Sequence, residues 1–225
     1  MQKKVFYLLQ WWLVLLFTVI VSANAFGASP SERIGKIVTK TTPVHVIRKG
    51  KKLTVGTLGM VIRQGDEAVT GSTGKARILL EGGNMIYLGP SSNLKLTKQT
   101  SQSGFAKVRR YILSLLGKLR ARIRKTENVS VQVHTPTAVI GVKGTDFVVQ
   151  FENRITRVGT ITGTVMLTSS ITTESIDISK GRMGFVSPAG EILPLREFAG
   201  ELMKDMDFAG EKMDDSDFSG DKVEM

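Results

Sequence analysis

From Ile34 to Gly190 the apolar residues arrive in short alternating runs, and glycine interrupts them every few positions. That rhythm confines the chain to β-sheet, because a period of two puts alternate side chains on opposite faces of a strand. Val129, Val131 and Val133 alternate with Ser130, Gln132 and His134, the pattern of a sheet with one dry face. Pro43–Ile47, Ala76–Leu80, Met85–Leu88, Phe147–Phe151, Ile161–Leu167 and Ile176–Ile178 read as further strands, with a turn at Gly50-Lys51-Lys52. Glu81-Gly82-Gly83-Asn84 supplies glycine where a hairpin needs positive φ. Strand–helix alternation is missing, which argues against a parallel α/β sheet. The expected fold class is all-β: many short, mostly antiparallel strands in a sandwich or β-roll, with a short β-solenoid as the alternative.

One segment carries two periodicities. Ile112, Leu115, Leu116, Leu119 and Ile123 fall at helical spacing. From Gly117, however, Leu119, Ala121 and Ile123 alternate strictly with Lys118, Arg120, Arg122 and Arg124. A glycine inside the helix would cost about 1 kcal/mol, which favours a strand with one basic face. The run Lys107–Lys125 holds eight Lys or Arg residues, and Lys118, Arg120, Arg122 and Arg124 form a candidate face for an anionic ligand such as an envelope polymer. Tyr111 is the one aromatic interleaved there, so nucleic acid is not an expected partner.

Charge is divided unevenly. Glu197–Met225 holds ten acids against three lysines, a net of −7, and the rest holds 28 basic and 10 acidic residues, a net of +18. The acidic end repeats with period ten: Phe198-Ala199-Gly200-Glu201, Phe208-Ala209-Gly210-Glu211 and Phe218-Ser219-Gly220-Asp221. Such a composition cannot bury a core of its own, so residues 191–225 are expected to form a disordered tail. Phe198, Phe208 and Phe218 are candidate docking anchors for a partner, engaged multivalently. The acidic tail lying across the basic face is a further expectation, drawn from their opposite charges.

The amino terminus has the three parts of an export signal: Lys3 and Lys4, the apolar run Trp11–Val21, and the small-x-small exit Ala23-Asn24-Ala25. A signal helix over 1–25 is expected to be cleaved, leaving a linker over 26–33 and a periplasmic or secreted product. Anchoring in the inner membrane by an uncleaved helix is the alternative, and it would be the chain's one membrane contact. The chain contains no cysteine, which removes thiol catalysis, iron–sulfur clusters, lipidation and disulfides.

Two blocks resemble the FecR domain, a family named after a regulator of ferric citrate uptake. Gly65-Asp66-Glu67-Ala68-Val69-Thr70-Gly71 is similar to its Gly-Asp-x-x-Val-Thr-Gly turn. His134-Thr135-Pro136-Thr137-Ala138 continues through Gly141-Val142-Lys143-Gly144-Thr145-Asp146-Phe147, similar to Thr-Pro-x-Ala … Val-Arg-Gly-Thr-x-Phe. Lys143 stands where the family has arginine, and a lysine does not reproduce a bidentate arginine contact. The resemblance spans 34–190. It implies no catalysis and no cofactor, and a role as a stand-alone binding or scaffold module of the bacterial envelope. The alternative is a regulator that senses an envelope signal and contacts a membrane transducer. The family's sigma-holding segment needs more chain than the ten residues preceding the apolar run.

Other motifs weigh less. His45 and His134 lack partner ligands at metal-binding spacing and read as ordinary strand residues. Gly141–Thr145 has the residue types of a phosphate loop in the wrong order. The Asp-x-Asp-x-x-Gly runs at Asp205 and Asp215 lack the later ligands of a calcium loop. Asp66 and Asp146 remain as an acid–base couple to be weighed against structural roles.

Overall fold

The computed structural model describes residues 32–54, 58–103, 106–126 and 128–206. The expected signal helix and most of the linker lie outside these residues, as do Phe208 and Phe218. Seventeen strands fill the described region: β1 Arg33–Thr41, β2 Val44–Arg48, β3 Lys51–Thr54, β4 Val61–Arg63, β5 Glu67–Thr70, β6 Lys75–Leu80, β7 Met85–Leu88, β8 Asn93–Ser103, β9 Ala106–Arg122, β10 Val129–His134, β11 Ala138–Val142, β12 Asp146–Glu152, β13 Ile155–Thr162, β14 Thr164–Ser169, β15 Ser175–Ser179, β16 Arg182–Val186 and β17 Ile192–Glu197. A 3-10 turn at Glu201–Met203 is the one helical element among the described residues. The all-β expectation holds, and the segment with two periodicities is the strand β9.

Strand pairing grows outward from β9 in both sequence directions. In a front sheet the order is β4-β1-β6-β7-β9-β12-β13-β16-β17. In a back sheet it is β3-β2-β5-β8-β9-β10-β11-β14-β15. β9 belongs to both: Ala106–Leu116 pair with β8, while Gly117–Arg122 pair with β12. Only β10 runs parallel to its neighbour; every other pairing among the described residues is antiparallel. Neither sheet closes, and β3, β4, β15 and β17 are its edges. One core draws on both sheets, with Ile37, Ile78 and Phe147 from the front meeting Val46, Leu96 and Ile140 from the back.

Glycines in the left-handed region mark where the chain changes sheet. Gly117 has φ +102 at the point where β9 crosses over, and a Cβ there would come within 2.7 Å of the Ser92 Cα. Gly144, φ +69, carries the chain from β11 in the back sheet to β12 in the front. Both corners need a conformation that only glycine adopts without strain.

Three sequence expectations shift. Ile161–Leu167 is not one strand: it breaks at Gly163 into β13 of the front sheet and β14 of the back. The turn after β2 is Lys49-Gly50, with Lys51 and Lys52 already in β3. The fold does not stop at Gly190, because β17 pairs with β16 and residues 198–206 then pack back onto the front sheet. The first tail repeat is therefore part of the folded body, stabilised by surface it could not bury alone.

Candidate functional site

The signature residues of the two blocks are brought together as ties between strands. Asp66 is buried, and its carboxylate accepts Arg48 Nε at 3.0 Å, Arg48 Nη2 at 2.7 Å and the Arg63 backbone N–H at 2.8 Å. Arg48 Nη2 also donates to the Val61 carbonyl at 2.8 Å, so the pair ties β2 to β4 and to the start of β5. Hydrogen bonding to Asp66 raises the Arg48 pKa above its ordinary value, against the opposing effect of burial. Thr70 Oγ1 donates to the Gly89 carbonyl at 2.7 Å and accepts the Ser92 N–H at 2.9 Å. Gly65 and Gly71 are the turns on either side, their N–H groups bonded to the Leu96 and Pro43 carbonyls.

The second block is built in the same manner. Thr135 and Thr137 both meet Thr156 Oγ1 at 2.7 Å, joining the β10–β11 turn of the back sheet to β13 of the front. Pro136 lies exposed on that turn and Gly141 sits in β11 against Met166. Lys143 is exposed beside the Gly144 corner. Thr145 is buried with its Oγ1 unpartnered, and Phe147 is wholly buried in the core. Asp146 accepts Arg120 through two bonds, Nε at 2.8 Å and Nη2 at 2.6 Å, and Arg122 Nε at 2.9 Å. Asp66 and Asp146 thus sit in two separate arginine clamps rather than facing each other as a couple.

The basic face of β9 is present in sequence order but not as an open stripe. Lys118, Arg120, Arg122 and Arg124 all point away from the core, yet Arg120 and Arg122 are only 2% and 3% exposed. Arg122 also lies 5.9 Å from the Tyr87 ring centroid, with Arg77 at 5.0 Å. Lys118 is half-buried and Arg124 exposed, which leaves the two ends of the expected face accessible and its middle covered.

The first tail repeat lies on the same outer face, with Phe198 and Met203 lining a cleft shared with Arg120. Phe198 lies against Gly159, where a Cβ would come within 2.7 Å of its ring. Leu202 is buried against Val148 and Met183, with Phe185 and Met203 around them. Met206 is buried on Tyr87 beside Gly89. This strap crosses the outer face of the front sheet from β13 to β7. It is held by apolar anchors and two hydrogen bonds to the body, Phe198 N–H to the Gly181 carbonyl at 2.9 Å and Lys118 Nζ to the Lys204 carbonyl at 3.1 Å. The acid Glu201 accepts the Ala199 N–H instead of a cation. The tail root does lie across the basic strand, with Leu202 and Met206 buried against the sheet.

Leu202, Met206 and their seats are the residues that sequence reasoning missed. Two signals were available: Phe147-Val148-Val149 does not alternate, as in a strand covered on both faces, and only the first repeat has apolar residues at its fifth and ninth positions. His45 lies in β2 near Thr54, and His134 lies in β10, 3.3 Å from the Gln132 side chain. Burial lowers the His134 pKa below its ordinary 6.5. No cluster of three metal-ligating side chains occurs among the described residues.

Known proteins align with this geometry at its centre. Two crystal structures of a candidate anti-sigma factor from Parabacteroides distasonis are similar to the chain, at 17% and 18% identity and TM-scores of 0.47 and 0.48. The likeness covers 58% of this chain and 59% of each of those, so the chain spans about three-fifths of their length. No curated protein matches the chain. The family described as FecR protein matches residues 66–166, which run from the Asp66 clamp through the Asp146 clamp into β14. That stretch is the chain's FecR domain.

Proposed function

We propose that the chain is an exported, non-catalytic sensing module that regulates by binding a protein partner in the bacterial envelope. The observation that carries this reading is the use made of the signature polar residues. Asp66, Thr70, Thr135, Thr137 and Asp146 are all engaged in holding strands and corners, so the FecR blocks build a rigid, sandwich-like frame instead of a reacting centre. A frame of this kind acts by what its surface contacts. The family relationship supports the regulatory role, and the amino-terminal signal supports a periplasmic or secreted location after cleavage. No cofactor enters this reading.

A protein partner is favoured over an anionic polymer because Arg120 and Arg122, half of the expected basic face, are buried and bonded to Asp146. Recruitment then falls to the distal tail, where Phe218 repeats the Phe198 motif. The covered apolar face dictates how to test this. Ending the chain at Arg196 would strip the strap and expose Val148, Met183 and Tyr87, so the informative truncation ends at Met206. A photo-crosslinking residue at position 218 should capture an envelope membrane protein in living cells, and cells carrying the shortened chain should show the same transcript change as cells lacking it. Failure to crosslink together with unchanged transcripts would sink the regulator reading.

A further inference from the structure

The largest cleft among the described pockets, about 600 Å³, lies at the Gly117 corner where β9 passes between sheets. Val69, Pro90, Leu116 and Phe151 give it apolar surface, and Leu116 is 50% exposed. Asp205, near the end of the strap, also lines the cleft. The described chain therefore reaches the rim of a cleft that sets these apolar side chains among polar ones such as Thr70, Asn93 and Gln150. Phe208 is two residues beyond the buried Met206, and an extended chain covers about 3.5 Å per residue, so the cleft is within reach of the chain at that position.

We infer that this cleft is the docking seat of Phe208, so that the second tail repeat continues the strap in cis. The repeat sequence explains why a single seat is the right kind of site. The second copy keeps Phe208-Ala209-Gly210-Glu211 but places Lys212 and Ser216 where the first has Leu202 and Met206. A segment with one strong apolar anchor cannot be held along a sheet as the first repeat is; it needs one preformed pocket for one ring. Charge does not draw it there, since the rim sets Lys118 against Glu152 and Asp205. Docking is accordingly apolar and insensitive to salt. This inference is independent of the regulator reading, because it concerns only how the chain covers itself.

Tryptophan fluorescence tests it in the full chain. Trp11 and Trp12 are the only tryptophans, so W11F and W12F with F208W leave one indole, at position 208. Its emission should lie at shorter wavelength than in denaturant, with acrylamide quenching reduced several-fold, unchanged by salt and by dilution. Adding Leu116→Asp should return the quenching to the denatured level while circular dichroism shows the fold intact. Leu116→Ser serves the same purpose if the aspartate variant fails to fold. An indole as accessible as in denaturant overturns the inference, as does protection that survives the Leu116 changes. Protection that disappears on dilution also overturns it, by assigning the seat to the tail of a second copy.

Discussion

At the scale of single residues, the two aspartates of the FecR blocks differ in how far their partners are removed from water. Arg120 is 2% exposed and shares Asp146 with Arg122, whereas Arg48, which holds Asp66, is 28% exposed. Removing one member of a buried ion pair costs about 3–5 kcal/mol, because the charge left behind is neither solvated nor paired. Asp146→Asn takes a carboxylate from two buried arginines at once and should lower the urea midpoint by more than Asp66→Asn does. Equal shifts would mean that burial does not set the Asp146 clamp apart. His134 adds a pH dependence of known sign. Its folded pKa lies below the ordinary 6.5, so on acidification the unfolded chain takes up the proton first. This contribution to stability is complete above about pH 6.5 and is lost progressively as the pH falls toward the folded value. Urea midpoints should therefore decline from about pH 7.5 to about pH 5.5, and His134→Gln should flatten part of that decline.

The positions of most strands were legible in the sequence, and what covers their outer faces was not. Val129–His134 alternates and was placed to the residue, as was Met85–Leu88. Ile161–Leu167 reads as one strand because Ile161, Val165 and Leu167 keep a period of two across Gly163, although the chain changes sheet at that exposed corner. The four cations of β9 were placed on the outward face, but alternation has no means of showing that Arg120 and Arg122 are buried there around Asp146. The strap was concealed because its composition resembles the acidic repeats that follow it, and its few anchors matter only against Gly159, Gly89 and Val148. Burying a Phe, Leu or Met side chain contributes about 1.5–3 kcal/mol each, so Phe198, Leu202 and Met206 offset the ordering of a nine-residue segment only in part and rely on the body being preformed. A chain ending at Arg196 should bind a hydrophobic dye and aggregate, while one ending at Met206 should stay soluble and bind far less dye. At the crossover, Gly117→Ala meets both a positive φ and the Ser92 backbone, and should destabilise by about 1–3 kcal/mol in chemical denaturation.

For the whole molecule, the family match and the folding unit have different boundaries. The match covers 66–166 and begins inside the Asp66 clamp, leaving out Arg48, and it ends at Met166, halfway along β14. Ile34, Ile37, Val44, Val46 and Ile62 before it, and Leu167, Ile178 and Val186 after it, are all at most 1% exposed in the same core. Cutting at the match limits would remove β1 from β6, β2 from β5 and β16 from β13, and would expose one face of the core on each side of β9. With both sheets joined through β9, no half can retain its own dry interior. A fragment of residues 66–166 should therefore be unfolded by circular dichroism. The chain from 32 to 206 should melt in a single transition whose calorimetric and van't Hoff enthalpies agree. A cooperative melt of the shorter fragment would show that the FecR match is itself the folding unit and that the flanking strands are additions to it. Two transitions in the longer one would show that β9 separates two domains rather than joining two sheets.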